Sequence, residues 1–197
     1  MNRKTINKII CQQFDKFVDS IKDTKVKELV AKNSVITGGS IAFMLLNEKV
    51  NDYDIYFTNA ETVLAVAKYY TDSFNKKNNC SIDVSDEQDV RGERRISIFI
   101  ESTGYAKSTD SKNGKKKKNK RLYDPVYLTS NAITLRGDIQ LIIRFYGDPK
   151  EIHANYDFVH CTNYWSSEDR SVSTMSADGT KKPISMSSRL YAIFWMN

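Results

Sequence analysis

The sequence predicts one α+β (mixed α/β) domain: a mixed sheet flanked by helices, with an amphipathic helix at its N-terminus. Three observations carry this expectation. Apolar residues recur at spacings of three and four through the first part of the chain, the period of a helix with one buried face. Short runs follow that either alternate or are wholly apolar, the mark of strands. Helices come first and most strands later, an order that fits mixed architectures. At 197 residues the chain is long enough to bury one sizeable core.

Taken in order, Ile6, Ile9, Ile10, Phe14, Phe17, Val18 and Ile21 set the first helical stripe, and Val26, Leu29 and Val30 resume it after a polar break. One helix or two are expected there. "SVIT", 34–37, reads as a short buried strand ending at Gly38 and Gly39, where the lack of a Cβ permits a sharp turn or a close approach. Ser40 is expected to cap a helix over 41–47, "IAFMLLN". In "DYDIYF", Asp52 and Asp54 share one face of a strand and Tyr53, Ile55 and Phe57 the other. Residues 63–74 read as a further helix, and strands are expected at 81–84, 95–101, 132–135 and 139–145. Beyond Tyr164 the periodicity decays, so the domain is expected to span 1–164, with 165–197 as an irregular tail.

The composition, 40% hydrophobic and 27% charged, is that of an ordinary globular chain. No apolar run approaches the roughly 18 residues of a membrane helix, and the polar start lacks a signal core, so a cytoplasmic protein without a membrane segment is expected. Cys11, Cys80 and Cys161 are odd in number and far apart, which reads as reduced and incidental. His153, His160 and Cys161 lie close in sequence but match no metal motif with a known mechanism.

The net charge of +6 is local. Residues 107–121 carry eight positive side chains and one negative, so the rest of the chain sums to −1. Lys115, Lys116, Lys117, Lys118, Lys120 and Arg121 dominate this Ser-, Asn- and Gly-rich stretch. It reads either as a tether for the phosphates of RNA or DNA or as a solvated loop between strands.

The chemistry-bearing stretch is "VITGGSIAFMLLNEKVNDYDIYF", 35–57. Two aspartates one residue apart on a strand project together, with Cα atoms roughly 6.5–7 Å apart. Such a pair can reach one divalent cation, or two ions about 3.5–4 Å apart. A Gly-Gly-Ser turn leading into a helix offers backbone N–H groups to phosphate oxygens. Read separately, the parts are a solvated acidic strand face and a tight turn; read together, they place a phosphate-facing turn beside two carboxylates.

On these residues the stretch resembles the nucleotidyltransferase superfamily of the DNA polymerase β type, whose pattern of Gly-Gly/Ser, short helix and Asp-x-Asp is matched by Gly38, Gly39, Ser40, Asp52 and Asp54. The segment "GDIQLIIRFYGDPKEIHANYDFVHCTNYW" is similar to phage-encoded nucleotidyltransferase-like proteins. The resemblance implies a nucleotidyltransferase-like sheet and transfer of a nucleotide to a hydroxyl acceptor, with two Mg²⁺ held by Asp52 and Asp54. It places the nucleoside triphosphate on Gly38, Gly39 and Ser40. It also implies a third carboxylate: Asp138 is the candidate, with Gln140 the competing occupant if the register differs, and Asp83 and Glu101 the weaker alternatives. The resemblance also implies a helical domain after the catalytic sheet, which the irregular stretch 165–197 is not expected to supply. The alternative function is therefore an inactive binding protein of the same fold, a phage or mobile-element inhibitor of a host enzyme that handles nucleic acid in defence, in the manner of an anti-CRISPR protein.

Overall fold

The structure, a computed structural model, describes residues 1–88, 92–100, 104–108, 122–154, 156 and 159–174. The basic side chains Lys115, Lys116, Lys117, Lys118, Lys120 and Arg121 lie outside the described residues, as does Glu101.

The N-terminal stripe folds as two helices, α1 (Arg3–Ser20) and α2 (Thr24–Lys32). Each starts where a side chain takes over an orphan backbone donor: Asn2 accepts from the Thr5 N–H and Asp23 from the Val26 N–H. The polar break between them, Lys22 and Asp23, is the second cap. Ile6, Ile10, Phe14, Phe17 and Val18 are buried along α1. Strand β1 (Ser34–Thr37) follows, then α3 (Gly39–Leu45), β2 (Tyr53–Phe57) and the long α4 (Ala60–Asn78). Asn59 caps the start of α4, and Asn79 ends it in the left-handed conformation, φ 50°.

The remaining strands are β3 (Asp83–Gln88), β4 (Arg94–Phe99), β5 (Tyr105–Lys107), β6 (Pro125–Thr129), β7 (Ala132–Leu135) and β8 (Ile139–Tyr146). A short α5 (Pro149–His153) and a 3-10 turn (Val159–Thr162) lead to β9 (Asn163–Ser166) and β10 (Ser171–Thr174). Eight strands form one sheet in the order β10-β9-β1-β2-β8-β7-β6-β5. Among the described residues only β2 and β8 run parallel and the other ladders are antiparallel, so the expected mixed α+β sheet with an N-terminal helix is the observed architecture. β3 and β4 form a separate hairpin.

The two faces of the sheet are unequal. Ile36, Ile55, Phe57, Leu128, Ile133, Leu135, Ile139, Leu141, Ile143 and Trp165 join the buried residues of α1, α2, α3 and α4 in one core. On the opposite face Val35 and Tyr56 pack under Ile152 of α5 in a much smaller cluster. The larger core anchors the fold; the smaller one, with Ile142 and Phe145 of β8 and Tyr164 of β9 packed against it, shields the β9-β1-β2-β8 part of the second face.

Several local expectations shift. Ser40 is not the cap of α3: Gly38 takes that position at φ 88°, and Ser40 sits inside the helix with its hydroxyl buried. The strand expected at 81–84 lies at Asp83–Gln88, because pairing with β4, whose Ile96 and Ile98 are buried, fixes it more strongly than its own polar sequence does. β5 and β6 have no counterpart in the sequence reading; β6 begins at a proline, tolerated as a first strand residue. Past Tyr164 the chain still adds β9 and β10, since Trp165 is fully buried against Phe14, ring centroids 4.8 Å apart.

Candidate functional site

The turn and the acidic strand do meet. The antiparallel pairing of β1 and β2 sets Thr37 opposite Asp54, so the residue before the glycine turn lies beside the second aspartate. Gly38 then bends away at φ 88°, and a Cβ built on it would lie 2.9 Å from the Asp54 Oδ2. A side chain at this position would therefore push against the carboxyl group. The Gly38 N–H donates to the Cys161 carbonyl (3.2 Å), tying the turn to the segment before β9.

Asp54 is the electrostatic centre. Burial, with the Asp52 charge adding to it, pushes its carboxyl up to about 7. Asp52 lies just ahead of β2; loss of water and the charge of Asp138 raise it above the usual carboxylate range. Asp138 precedes β8 in the left-handed region, φ 62°, and its carbonyl accepts from the Tyr53 N–H at 2.8 Å. Burial, then that same charge, also raises the Tyr53 hydroxyl.

Asp138 is thus near Asp52 but off the strand. The register position beside Asp54 belongs to Gln140. Of the two occupants the sequence offered, Gln140 takes the position beside Asp54, and Asp138, in the turn just before β8, lies beside Asp52. Asp83 belongs to the separate β3–β4 hairpin, paired with Phe99. Among the described residues no three His, Cys, Asp or Glu side chains are placed to hold one metal ion, so the magnesium expectation rests on Asp52 and Asp54 alone. The phosphate expectation for the turn also loses a part, because α3 is a single short helix of seven residues and the Ser40 hydroxyl is turned into the protein.

Behind Thr37 lies a polar cluster that the sequence did not reveal. Its Oγ1 is 2.8 Å from the His153 Nε2 and donates toward the carbonyls of Asn163 (3.0 Å) and Cys161 (3.2 Å). His153 packs against the rings of Tyr156 and Tyr164, centroids 5.1 and 5.9 Å away. Its Nδ1 is buried without a hydrogen-bond partner among the described residues, and burial holds the imidazole below its ordinary range, so the ring is neutral at pH 7. Burial likewise drives the Tyr56 hydroxyl up to about 12, and burial with the Asp54 charge drives the Cys161 thiol up to about 11. Cys161 is therefore an inert thiol at neutral pH. The closeness of His153 and Cys161 in sequence was the available signal; its meaning is packing beneath β1 rather than metal ligation.

Chemically, this arrangement holds a proton near neutrality on Asp54 and brings one exposed acid, Asp52, against another, Asp138. The mixture of acids, glutamine and tyrosines at one sheet end gives a polar surface whose charge changes around pH 7.

A family model described as Gabija anti-defense 2 family protein matches residues 8–178. That range covers most of the chain, and the chain belongs to this family. No curated protein and no solved structure matches it. The family match overturns the nucleotidyltransferase resemblance: the matching family is one of phage anti-defense proteins, and the transferase and magnesium assignments drawn from the shared Gly-Gly-Ser and Asp-x-Asp pattern have no other support. That pattern is a local solution to bringing a turn beside a strand, and it recurs without fixing a chemistry.

Proposed function

We propose that this member of the Gabija anti-defense 2 family counteracts the Gabija defence by binding one of its protein components and obstructing that component's work on nucleic acid. The extent of the family match carries this reading. It runs from α1 to beyond β10, through both faces of the sheet, rather than only across the turn and acidic strand at 35–57. A family defined over the whole fold is consistent with action through a folded surface that a binding partner reads. Gln140 beside Asp54 gives secondary support, because a neutral amide there can neither act as a base nor ligate as an anion.

The reading makes Asp52 and Asp54 parts of a polar surface rather than reacting groups. The test is plaque formation on cells carrying the Gabija defence and expressing this chain. The expected result is that the Asp52→Asn/Asp54→Asn double variant restores infection as fully as the unaltered protein. A folded double variant that restores nothing would overturn inhibition by binding alone and assign chemistry to the carboxyl cluster.

A further inference from the structure

The register of the large sheet places one unbroken row of side chains on the face away from the main core. Thr37 pairs with Asp54, Asp54 with Gln140, Gln140 with Thr134, Thr134 with Tyr127, and Tyr127 with Lys107. The alternate strand positions confirm the face: Leu141, Ile133 and Leu128 belong to the buried core, so their neighbours Gln140, Thr134 and Tyr127 point the other way. Among the described residues α5 covers this face at β1, β2 and the Ile142–Phe145 end of β8, and leaves the β7, β6 and β5 positions of the row uncovered. From Asp54 to Lys107 the row crosses four strand spacings, about 19 Å at about 4.8 Å each.

At the far end Tyr105, 48% exposed, and Tyr127 lie diagonally across the β5–β6 ladder with ring centroids 5.5 Å apart and planes 31° apart. Lys107 is exposed on the same face, and Arg144, also exposed, lies at the β8 irregularity with its guanidinium over the Phe145 ring of the second-face cluster, 5.1 Å from the centroid. We propose that this open face binds a single-stranded nucleic acid, with Tyr105 and Tyr127 as a platform for its bases, Lys107 and Arg144 on its phosphates, and Thr134 and Gln140 as hydrogen-bonding groups between.

The charge of the described face favours a polyanion. Its acids, Asp52 and Asp54, lie at the β2 end, four strand spacings from Lys107 and the tyrosine pair. The chain leaving the face at Lys107 carries seven further positive residues before it returns at Leu122. Lysine is depleted from the centres of protein–protein interfaces, whereas aromatic rings among cations are the pattern of single-strand binders. A duplex fits poorly, because an open sheet offers no helix or ribbon to enter a groove and stacked bases cannot reach a tyrosine face.

The proposal is independent of the inhibitory reading, since it concerns the purified chain alone. The experiment is a fluorescence-anisotropy titration with labelled single-stranded DNA and RNA twenty-mers and the corresponding duplex, at low and moderate salt. Single strands are expected to bind more tightly than duplex, with affinity falling steeply with salt. Tyr105→Ala/Tyr127→Ala is expected to weaken binding by at least about fivefold, from roughly 1–3 kcal/mol per stacked base, and Tyr105→Phe/Tyr127→Phe to keep it within about threefold. Lys107→Gln/Arg144→Gln, both surface changes, should flatten the salt dependence. Absence of binding at low salt, equal affinity for duplex, or indifference to the alanine pair would each overturn the proposal. So would an alanine pair that binds oligonucleotide normally but no longer joins a Gabija protein, which would give the face to a protein partner.

Discussion

Gly38 shows how one residue decides the local geometry. It needs the left-handed region and leaves no room for a Cβ beside Asp54, two separate reasons for glycine. Gly38→Ala is expected to cost about 2–3 kcal/mol in urea unfolding. Gly92→Ala is the control: it meets the same backbone strain, φ 79°, but nothing within 4 Å, and is expected to cost about 1 kcal/mol. Equal losses would mean that the approach of Asp54 contributes nothing. Asp54 itself gives a pH prediction. Its folded carboxyl titrates near 7, above the unfolded value of 3.8, so the native state holds a proton that the unfolded chain releases. Stability from this group is intact below about pH 4 and declines as the pH rises toward 7. Asp54→Asn removes that decline, so its melting temperature relative to the unaltered protein should climb between pH 4 and pH 7; a constant difference would contradict the placement. The glycine and the aspartates were legible because residue type restricts backbone and charge directly. The cap was not, because a glycine able to adopt positive φ displaced Ser40 by two positions into the helix, and sequence cannot rank those two starts.

At the scale of elements, the periodic stripes of α1 and α2, the helix at α4 and the strands β7 and β8 could be read from apolar spacing, since their own sequences supply the buried face. β5, β6, β9 and β10 could not, because each is short and is held by its neighbours, and β3 was legible only in part, displaced by its pairing with β4. β9 makes the point through Trp165, whose burial beside Phe14 belongs to contacts between distant parts of the chain. Trp165→Ala is expected to cost about 3–5 kcal/mol by chemical denaturation. A loss below about 1 kcal/mol would return the segment after Tyr164 to the irregular tail the periodicity suggests. α5 is set by a smaller device. Asp148 accepts from the N–H groups of Lys150 and Glu151, and the Glu151 carboxylate accepts from the Asp148 N–H at 2.7 Å, a closed capping box. Asp148→Ala should cost about 1 kcal/mol and loosen Ile152 over Val35 and Tyr56, read as faster hydrogen exchange at the β1–β2 end.

For the molecule as a whole, the sheet order is what the sequence conceals. β8 inserts beside β2 and β9 beside β1, so strands far apart in the chain become neighbours and carry Gln140, rather than a third carboxylate, to Asp54. The motif at 35–57 contains half of that site, and only the register supplies the other half. The family match spans residues 8–178, well beyond the acidic strand. On the proposed function, the folded surface holds a Gabija protein. The most direct test mixes the purified chain with each purified Gabija component and follows complex mass by size-exclusion chromatography with light scattering. Co-elution of the chain with one component at a defined ratio, undiminished in Asp52→Asn/Asp54→Asn, is the predicted result. Separate elution from every component, by a preparation that still restores infection in cells, would contradict the claim.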